Sequence, residues 1–226
     1  MKHWTRTSPL LLNLFMVILL MGYHNRGEAQ VSLTGFGTTY TQDFNTLAIT
    51  DLSSVVPVGW SFAEAGSNAN STYDADDGGS TTGNTYSYGI DAITERAFGG
   101  LQSGTLNPTI GAFFTNNTGG AIGSLMISYK GEQWRVGTLT REDRLDFQYS
   151  LTATGLLSGT YVNYDLLDFT SPIQAPVGPL NGNVFPNFTV VSSTIMGLSI
   201  GNGNTFWIRW SDFNAILADD GEAVDS

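Results

Sequence analysis

The chain has 226 residues, a formal net charge of −11 at pH 7 and no cysteine, and its two histidines are His3 and His24. So acidic a chain repels a phosphate backbone, which argues against nucleic-acid binding by this domain alone. The lack of cysteine excludes disulfide bonds and cysteine nucleophiles.

The first 29 residues have the pattern of a secretory signal peptide. Lys2 and Arg6 give a positive start, Leu10–Met21 is an apolar run, and Gly27-Glu28-Ala29 places small residues before a cut ahead of Gln30. The apolar run is shorter than the ~20 residues that span a bilayer. We therefore predict a protein that is secreted or held at the cell surface, with no transmembrane segment in its mature chain.

Removal of residues 1–29 changes the chemistry that remains. Residues 30–226 keep 6 basic and 19 acidic side chains, a single lysine (Lys130) and no histidine. This composition excludes Ser-His-Asp and Cys-His catalytic groups and the usual zinc sites. Clustered carboxylates make calcium a more natural ligand than any anion.

Alternation with a period of two residues dominates the mature chain. Ser124–Lys130 and Arg144–Leu151 place apolar residues on one face, which predicts half-buried strands. Phe206–Trp210 is bulky on both faces, which predicts a central strand. Further strands are predicted near residues 37–45, 58–64, 84–91, 110–117, 160–169, 187–192 and 195–200.

Polar and glycine-rich segments separate these strands. Residues 66–83 are too polar to bury, which predicts a long surface loop. Many short strands with such turns indicate an all-β, antiparallel β-sandwich of the jelly-roll type. Residues 30–226 show no internal repeat or linker, so we predict a single domain.

A series of short motifs spans nearly the whole mature chain. They are Thr41–Leu47, Pro57–Trp60, Glu95–Leu101, Gly111–Asn117, Tyr129–Arg135, Arg144–Ser150, Phe206–Trp210 and Asp219–Gly221. In this order the motifs resemble those of exported bacterial domains with a concanavalin A-like jelly-roll sandwich. Such domains occur in surface proteins with C-terminal sorting signals and at the front of some large extracellular nucleases.

The sequence departs from this family at its C-terminal end. The resemblance implies a last apolar strand after the Asp219–Gly221 turn, but only Glu222–Ser226 follows. Either the final strand is very short, or the sequence is the front piece of a longer protein. The second alternative is favoured, because a sheet that lacks one strand leaves unpaired strand edges, and such edges tend to pair with other chains. Residues 30–226 are thus expected to lack their last strand or to continue into a longer protein.

Acidic residues provide the candidate metal ligands. The resemblance implies that the turn with Asp219 and Asp220, near Asp212, approaches the first strand at Asp43. A calcium ion there would tie the two ends of the chain together. Residues 74–77 lack the later glutamate of an EF-hand and are interpreted as a solvated loop. The candidate metal ligands are therefore Asp43, Asp212, Asp219 and Asp220.

Trp134 is the candidate aromatic platform for a ligand. Glu132, Arg135 and Arg144 accompany it on neighbouring strands, and an exposed indole with such partners can hold a sugar ring. The alternative, which we favour, is that Trp134 caps the core while the charged side chains pair across strands. Three further tryptophans are assigned to the core: Trp60, Trp207 and Trp210.

The best candidate for catalysis is the strand with Glu142, Arg144 and Asp146 on one face. Arg144 would pair with both acids, which argues against a glycosidase. We predict a non-catalytic surface or matrix module that binds a glycan or cell-surface polymer and is stabilised by calcium. The alternative is an accessory domain of an extracellular nuclease or glycan-active enzyme whose catalytic part lies beyond Ser226.

Overall fold

The computed structural model describes residues 30–91 and 93–226, and the predicted signal peptide lies outside them. Their regular structure consists of fifteen strands and one short 3₁₀ helix, Asp165–Leu167. Among these residues, no helix is long and apolar enough to cross a membrane. The strands are β1 (Val31–Leu33), β2 (Leu52–Ser53), β3 (Trp60–Ala65), β4 (Tyr73–Asp76), β5 (Asn84–Tyr88), β6 (Ala97–Leu101), β7 (Asn107–Asn116), β8 (Ile122–Val136), β9 (Arg144–Ser150), β10 (Val162–Asn163), β11 (Phe169–Thr170), β12 (Gly178–Pro179), β13 (Phe188–Ile200), β14 (Thr205–Asp212) and β15 (Gly221–Asp225).

The strands form two sheets that pack face to face. Sheet A has the order β7-β14-β9, with β1 and β3 on the outer side of β7 and β10 and β11 on the outer side of β9. Sheet B has the order β8-β15-β6-β5-β4-β2, with β12 and β13 on the outer side of β8. The predicted all-β sandwich is confirmed.

Two strand pairs differ from a purely antiparallel sandwich. β1 pairs with β7 in parallel, and so does β4 with β5. Both sheets are therefore mixed. Residues 34–106 separate β1 from β7, whereas β4 and β5 are joined by residues 77–83, a connection shorter than parallel strands usually have.

Aromatic side chains fill the space between the sheets. Trp210 of β14 stacks on Trp60 at a centroid distance of 5.8 Å and meets Phe147 edge-on at 5.3 Å. Trp60 and Trp210 are at most 9% exposed and belong to the core between the sheets, whereas Trp207 is equally buried but lies on the opposite face of β14, where it stacks on Phe113 at 4.6 Å. The predicted central strand is also confirmed, because β14 pairs with β7 on one side and β9 on the other.

Some predicted elements differ from the observed ones. Residues 37–45 contain no strand, because Phe44 turns the chain with a φ of 52°. Residues 160–169 hold only the short β10, the 3₁₀ helix and the start of β11. The polar segment 66–83 contains β4, whose Tyr73 is fully buried.

The segment after Asp220 forms the final strand of the described chain. β15 pairs with β6 on one side and β8 on the other, and all five of its residues are buried. A short strand therefore follows the Asp219–Asp220 pair within the described chain. An extension beyond Ser226 stays a prediction.

Candidate functional site

One end of the sandwich holds five acidic side chains in and beside the space between the sheets. We call Asp143, Asp212, Asp219, Asp220 and Glu222 the intersheet cluster. Oxygen atoms of three of them, Asp143, Asp212 and Glu222, lie within 4.8 Å of one another. None of the five residues is more than 5% exposed.

The strand period explains why these carboxylates are buried. Asp212 lies two residues after Trp210 in β14, so both side chains are on the core face. Asp143 lies two residues before the buried Leu145 and follows the same rule. Glu222 comes from β15 in the opposite sheet. The cluster therefore joins sheet A to sheet B.

Positive charge does not balance the intersheet cluster. Arg141 lies 2.9 Å from Asp143, 3.6 Å from Asp219 and 3.4 Å from Asp220, measured between nitrogen and carboxylate oxygen. Within residues 30–91 and 93–226, no ion pair reaches the other two members of the cluster. One guanidinium thus faces five carboxyl groups, and burial makes that imbalance costly.

Hydrogen bonds also leave part of the cluster unsatisfied. Asp220 accepts a bond from Gln133 Nε2 at 2.7 Å, and Asp212 Oδ2 accepts one from the backbone N–H of Gln102 at 3.1 Å. Asp212 Oδ1 and both carboxylate oxygens of Glu222 have no hydrogen-bond partner in the described part of the chain. Burying such atoms without partners carries a substantial desolvation penalty.

Burial shifts the acid–base behaviour of the cluster. It raises the pKa of Asp212 and of Glu222 well above their ordinary values, and the nearby Asp143 carboxylate adds to both effects. Burial, assisted by Asp143, raises the pKa of Asp219 to about 6. Such a site is stabilised either by protons or by a bound cation. Its donors are all oxygen, and these groups of acidic side chains could hold a hard metal ion.

A second acidic group lies on the other face of sheet B. Lys130 Nζ is 2.8 Å from Glu132 Oε1 and 3.0 Å from Asp225 Oδ2. Trp134 Nε1 donates to Glu132 Oε2 at 3.0 Å, and Glu95 completes the group. This group holds its own ammonium ion, so it has less need of an external cation than the intersheet cluster.

A polar cleft opens at the edge of sheet A, where β10 and β11 join β9. Its volume is about 190 Å³. The lining side chains, which define the Arg144 cleft, are Arg144, Asp146, Asn163, Asp165 and Asp168. Arg144 donates to Asp146 and lies 3.7 Å from Asp168. The ring of Phe213, 44% exposed, has its centroid 4.6 Å from the Arg144 guanidinium carbon.

Comparison with known proteins identifies no family for this chain. No protein-family model matches it, and no curated protein is significantly similar to it. Among solved structures, it is similar to the enzymatically active domain of tailspike protein 4 from bacteriophage CBA120, with 11% sequence identity and a TM-score of 0.33. The match covers 74% of this chain but only 19% of the tailspike chain. At this distance the likeness says nothing about function.

The four predicted ligand-binding residues do not form one site. Trp134 is fully buried and stacks on Tyr88 at 5.7 Å, so its indole has no surface on which a sugar could pack. Glu132 is also fully buried. Arg135 donates to a backbone carbonyl at 3.0 Å, whereas Arg144 lies in the opposite sheet and lines the cleft.

The four predicted metal ligands are divided in a similar way. Asp212 belongs to the converging triad, and Asp219 and Asp220 adjoin it but pair with Arg141. Asp43 lies at the other end of β15, where burial and, to a smaller extent, the charge of Asp43 raise the pKa of Asp225. The expected meeting of Asp43 with the Asp219–Asp220 turn is not seen, because β15 separates them.

Sequence reasoning missed two members of the triad. Asp143 lies between Glu142 and Arg144 of the catalytic candidate but is not among its three residues, and Glu222 enters the sequence analysis only as part of the tail after the last turn. The signal that could have found them is the strand period. It places Asp143 on the face of Leu145 and Glu222 on the face of Val224, both of which are buried apolar residues.

Proposed function

We propose that the chain is an exported, non-catalytic module of a cell surface or extracellular matrix, which binds a glycan and holds a calcium ion. The observation that carries the glycan part is the Arg144 cleft, an open cavity lined by polar side chains. A sugar hydroxyl both donates and accepts hydrogen bonds, so a lining that offers both kinds of partner suits a hydroxyl-rich ligand.

The groups around the cleft divide the donation and acceptance of hydrogen bonds between them. Arg144 supplies donors, Asp146 and Asp168 supply acceptors, and Asn163 supplies both. The exposed ring of Phe213 offers a flat apolar surface beside them. An aromatic face next to hydrogen-bonding groups fits a sugar ring, which has an apolar C–H face and a polar edge.

The charge of the cleft favours certain glycans. Three aspartates and one arginine line it, so its negative charge exceeds its positive charge. Uronic acids and sulfated sugars are disfavoured by repulsion, whereas neutral sugars and amino sugars are not. The proposed ligand is therefore a neutral or amino-bearing glycan.

The same geometry supports a binding role rather than catalysis. Glycoside hydrolysis with two carboxyl groups needs one of them to deliver a proton. In the cleft, Asp146 and Asp168 share the Arg144 guanidinium through charge-assisted contacts, so each is engaged as an acceptor. The intersheet cluster is closed to a polymer because its side chains are buried.

Two other parts of the proposal rest on different features. Export rests on the signal-peptide pattern of residues 1–29. A surface or matrix location rests on the resemblance to concanavalin A-like domains of exported bacterial proteins. The calcium ion is supported by the converging carboxylates between the sheets.

Replacement of Arg144 tests the glycan part. Arg144→Gln is compared with Arg135→Gln, a matched change on the other sheet, by binding to an array of neutral, amino and acidic glycans. We expect wild type to bind a neutral or amino glycan. Affinity should fall about tenfold or more in Arg144→Gln, because hydrogen bonds to a charged group contribute about 1.5–3 kcal/mol. Arg135→Gln should bind as wild type does.

The same assay can contradict the proposal in three ways. A wild-type protein that binds no glycan would remove its main support. An equal loss of binding in Arg135→Gln would move the site away from the cleft. Release of reducing sugar from a bound glycan would show that the module is an enzyme.

A further inference from the structure

We propose that Asp143, Asp212 and Glu222 bind one calcium ion between the two sheets. The site gives a position to the calcium of the proposed function and rests on that part of it, but not on the glycan at the Arg144 cleft. Calcium takes oxygen ligands at 2.3–2.6 Å, so two ligands on opposite sides of an ion are at most about 5 Å apart. The three carboxylates satisfy this limit, since their oxygen atoms lie within 4.8 Å of one another.

Buried oxygen atoms without hydrogen-bond partners mark this position as suited to a cation. Glu222 is fully buried, and neither of its carboxylate oxygens has a hydrogen-bond partner among residues 30–91 and 93–226. Asp212 Oδ1 is likewise buried without a hydrogen-bond partner among these residues. Nearby, the backbone N–H of Gln102 donates to Asp212 Oδ2, while the side-chain Oε1 of Gln102 is buried without a partner in the described part of the chain. Native proteins rarely leave so many buried oxygens unbonded in one place.

The ion pairs of Arg141 leave the carboxylates of Asp212 and Glu222 as the place for a cation. Arg141 pairs with Asp143, Asp219 and Asp220, and none of its ion pairs extends to Asp212 or Glu222. A divalent ion beside those two carboxylates would supply the positive charge that the guanidinium does not deliver. In a region closed to water, such an ion interacts with them far more strongly than at a surface.

The donor set selects the type of ion. Oxygen is the only ligand atom that the three side chains offer, which favours hard cations over zinc. Magnesium usually retains several water molecules, whereas calcium accepts a shell built largely from carboxylates. Glu222 and its neighbours are buried, so the drier calcium shell fits better.

Direct measurement of bound metal tests the site. The exported protein is unfolded in urea and refolded either in millimolar calcium or in EDTA, because a buried site fills most readily during folding. After gel filtration we expect one calcium per chain in the first sample and none in the second. At calcium concentrations far above Kd, the Tm should be about 5 °C or more higher than in EDTA. Magnesium should give a smaller increase.

Two isosteric variants identify the ligands. Asp212→Asn and Glu222→Gln keep the side-chain size and remove one negative charge. Each should lose the bound calcium and the calcium-dependent rise in Tm. In EDTA each should be at least as stable as wild type, because repulsion within the cluster is reduced. Asp77→Asn makes the same change of charge on an exposed loop and should retain both properties.

Several outcomes would overturn the site. A wild-type protein that carries no calcium after refolding in calcium would overturn the site. This measurement on the wild type decides the matter even if a variant fails to fold. A full equivalent of calcium in both Asp212→Asn and Glu222→Gln would also do so. Glycan binding, measured on the same samples, separates the two proposals. A protein without calcium that still binds a glycan contradicts this site and the calcium part of the proposed function but leaves the cleft intact, and a calcium-loaded protein without glycan affinity contradicts only the cleft.

Discussion

Glu132 shows how burial affects a carboxyl group that has its own cation nearby. Burial raises the pKa of Glu132 to about 7, although Lys130, only 2.8 Å away, opposes the shift. The carboxylates of Asp225 and Glu95 add to the rise, and Trp134 donates a hydrogen bond to the side chain. The loss of hydration therefore outweighs a direct ion pair at this position.

This shift has a definite consequence for stability. Because the pKa of Glu132 in the folded state lies above its ordinary value of 4.5, its stabilising contribution is fully present below about pH 4.5 and is lost as the pH rises through about 7. We expect the Tm in EDTA to fall between pH 5 and pH 8, and Glu132→Gln to remove part of that fall. The part removed corresponds to at most about 3 kcal/mol.

Thermal unfolding of Glu132→Gln across this pH range measures the effect. Glu142→Gln is the matched control, because Glu142 is exposed. The control should follow the wild-type dependence on pH. A Glu132→Gln protein whose Tm falls as steeply as that of the control would show that folding does not raise the pKa of this carboxyl group.

Single residues also show what the sequence could reveal about the site. The period of two places Asp212 on the face of Trp210, so its burial was predictable from the strand alone. Its neighbours in the triad are Asp143, which directly precedes β9, and Glu222 of β15, and no local pattern says that these two positions meet at the same side of the sandwich. Trp134 was misleading for a related reason, because the loop that covers it comes from a distant part of the chain.

β15 joins the two halves of sheet B. Its five residues are buried, and it supplies hydrogen bonds to β6 and β8 at once. Val224 lies in the core and is 1% exposed, whereas Val190 on the outer strand β13 is 65% exposed. The two valines thus provide a matched comparison of a central and an edge strand.

Truncation of these valines tests the role of β15. We expect Val224→Ala to destabilise the protein by about 2 kcal/mol, because it removes two buried methyl groups from a packed core. Val190→Ala should change the free energy of unfolding by less than about 0.5 kcal/mol. Urea unfolding measures both. Equal, small effects would mean that β15 is not firmly held in the sheet.

At the level of elements, the sequence predicted best where alternation is strong. The apolar period placed β9 and the first half of β8, and the bulk of Phe206–Trp210 on both faces placed β14. β4 was missed because Tyr73–Asp76 is polar and pairs in parallel with β5, so its place depends on partners rather than on its own pattern. The short final strand was underestimated for the same reason, since Gly221–Asp225 has little apolar content of its own.

The whole molecule carries a large excess of negative charge. Residues 30–226 hold 19 acidic and 6 basic side chains. Repulsion of this kind acts at a distance and is reduced by salt, with a screening length of about 10 Å at 0.1 M. It therefore disfavours acidic polymers over the whole surface and not only at the cleft.

This charge predicts a preference among polysaccharides. In EDTA at low ionic strength, we expect no measurable binding to alginate-like or sulfated glycans. Added calcium, which can bridge carboxylates of both partners, should raise the affinity for them, whereas binding of a neutral glycan should depend little on salt. Isothermal titration at two salt concentrations tests this. Tight binding of a sulfated glycan in EDTA would contradict it.

The position of β15 also sets an order of events. The strand is the last to be synthesised among those described, yet it lies between β6 and β8. A chain that crosses the membrane with its N-terminus first delivers this strand after all the neighbours with which it pairs. Sheet B then consists of two separate halves until Gly221–Asp225 arrives. Because Glu222 lies on this strand, the proposed ion can be captured only in the closing step of folding, which for the proposed exported chain falls on the outer side of the membrane.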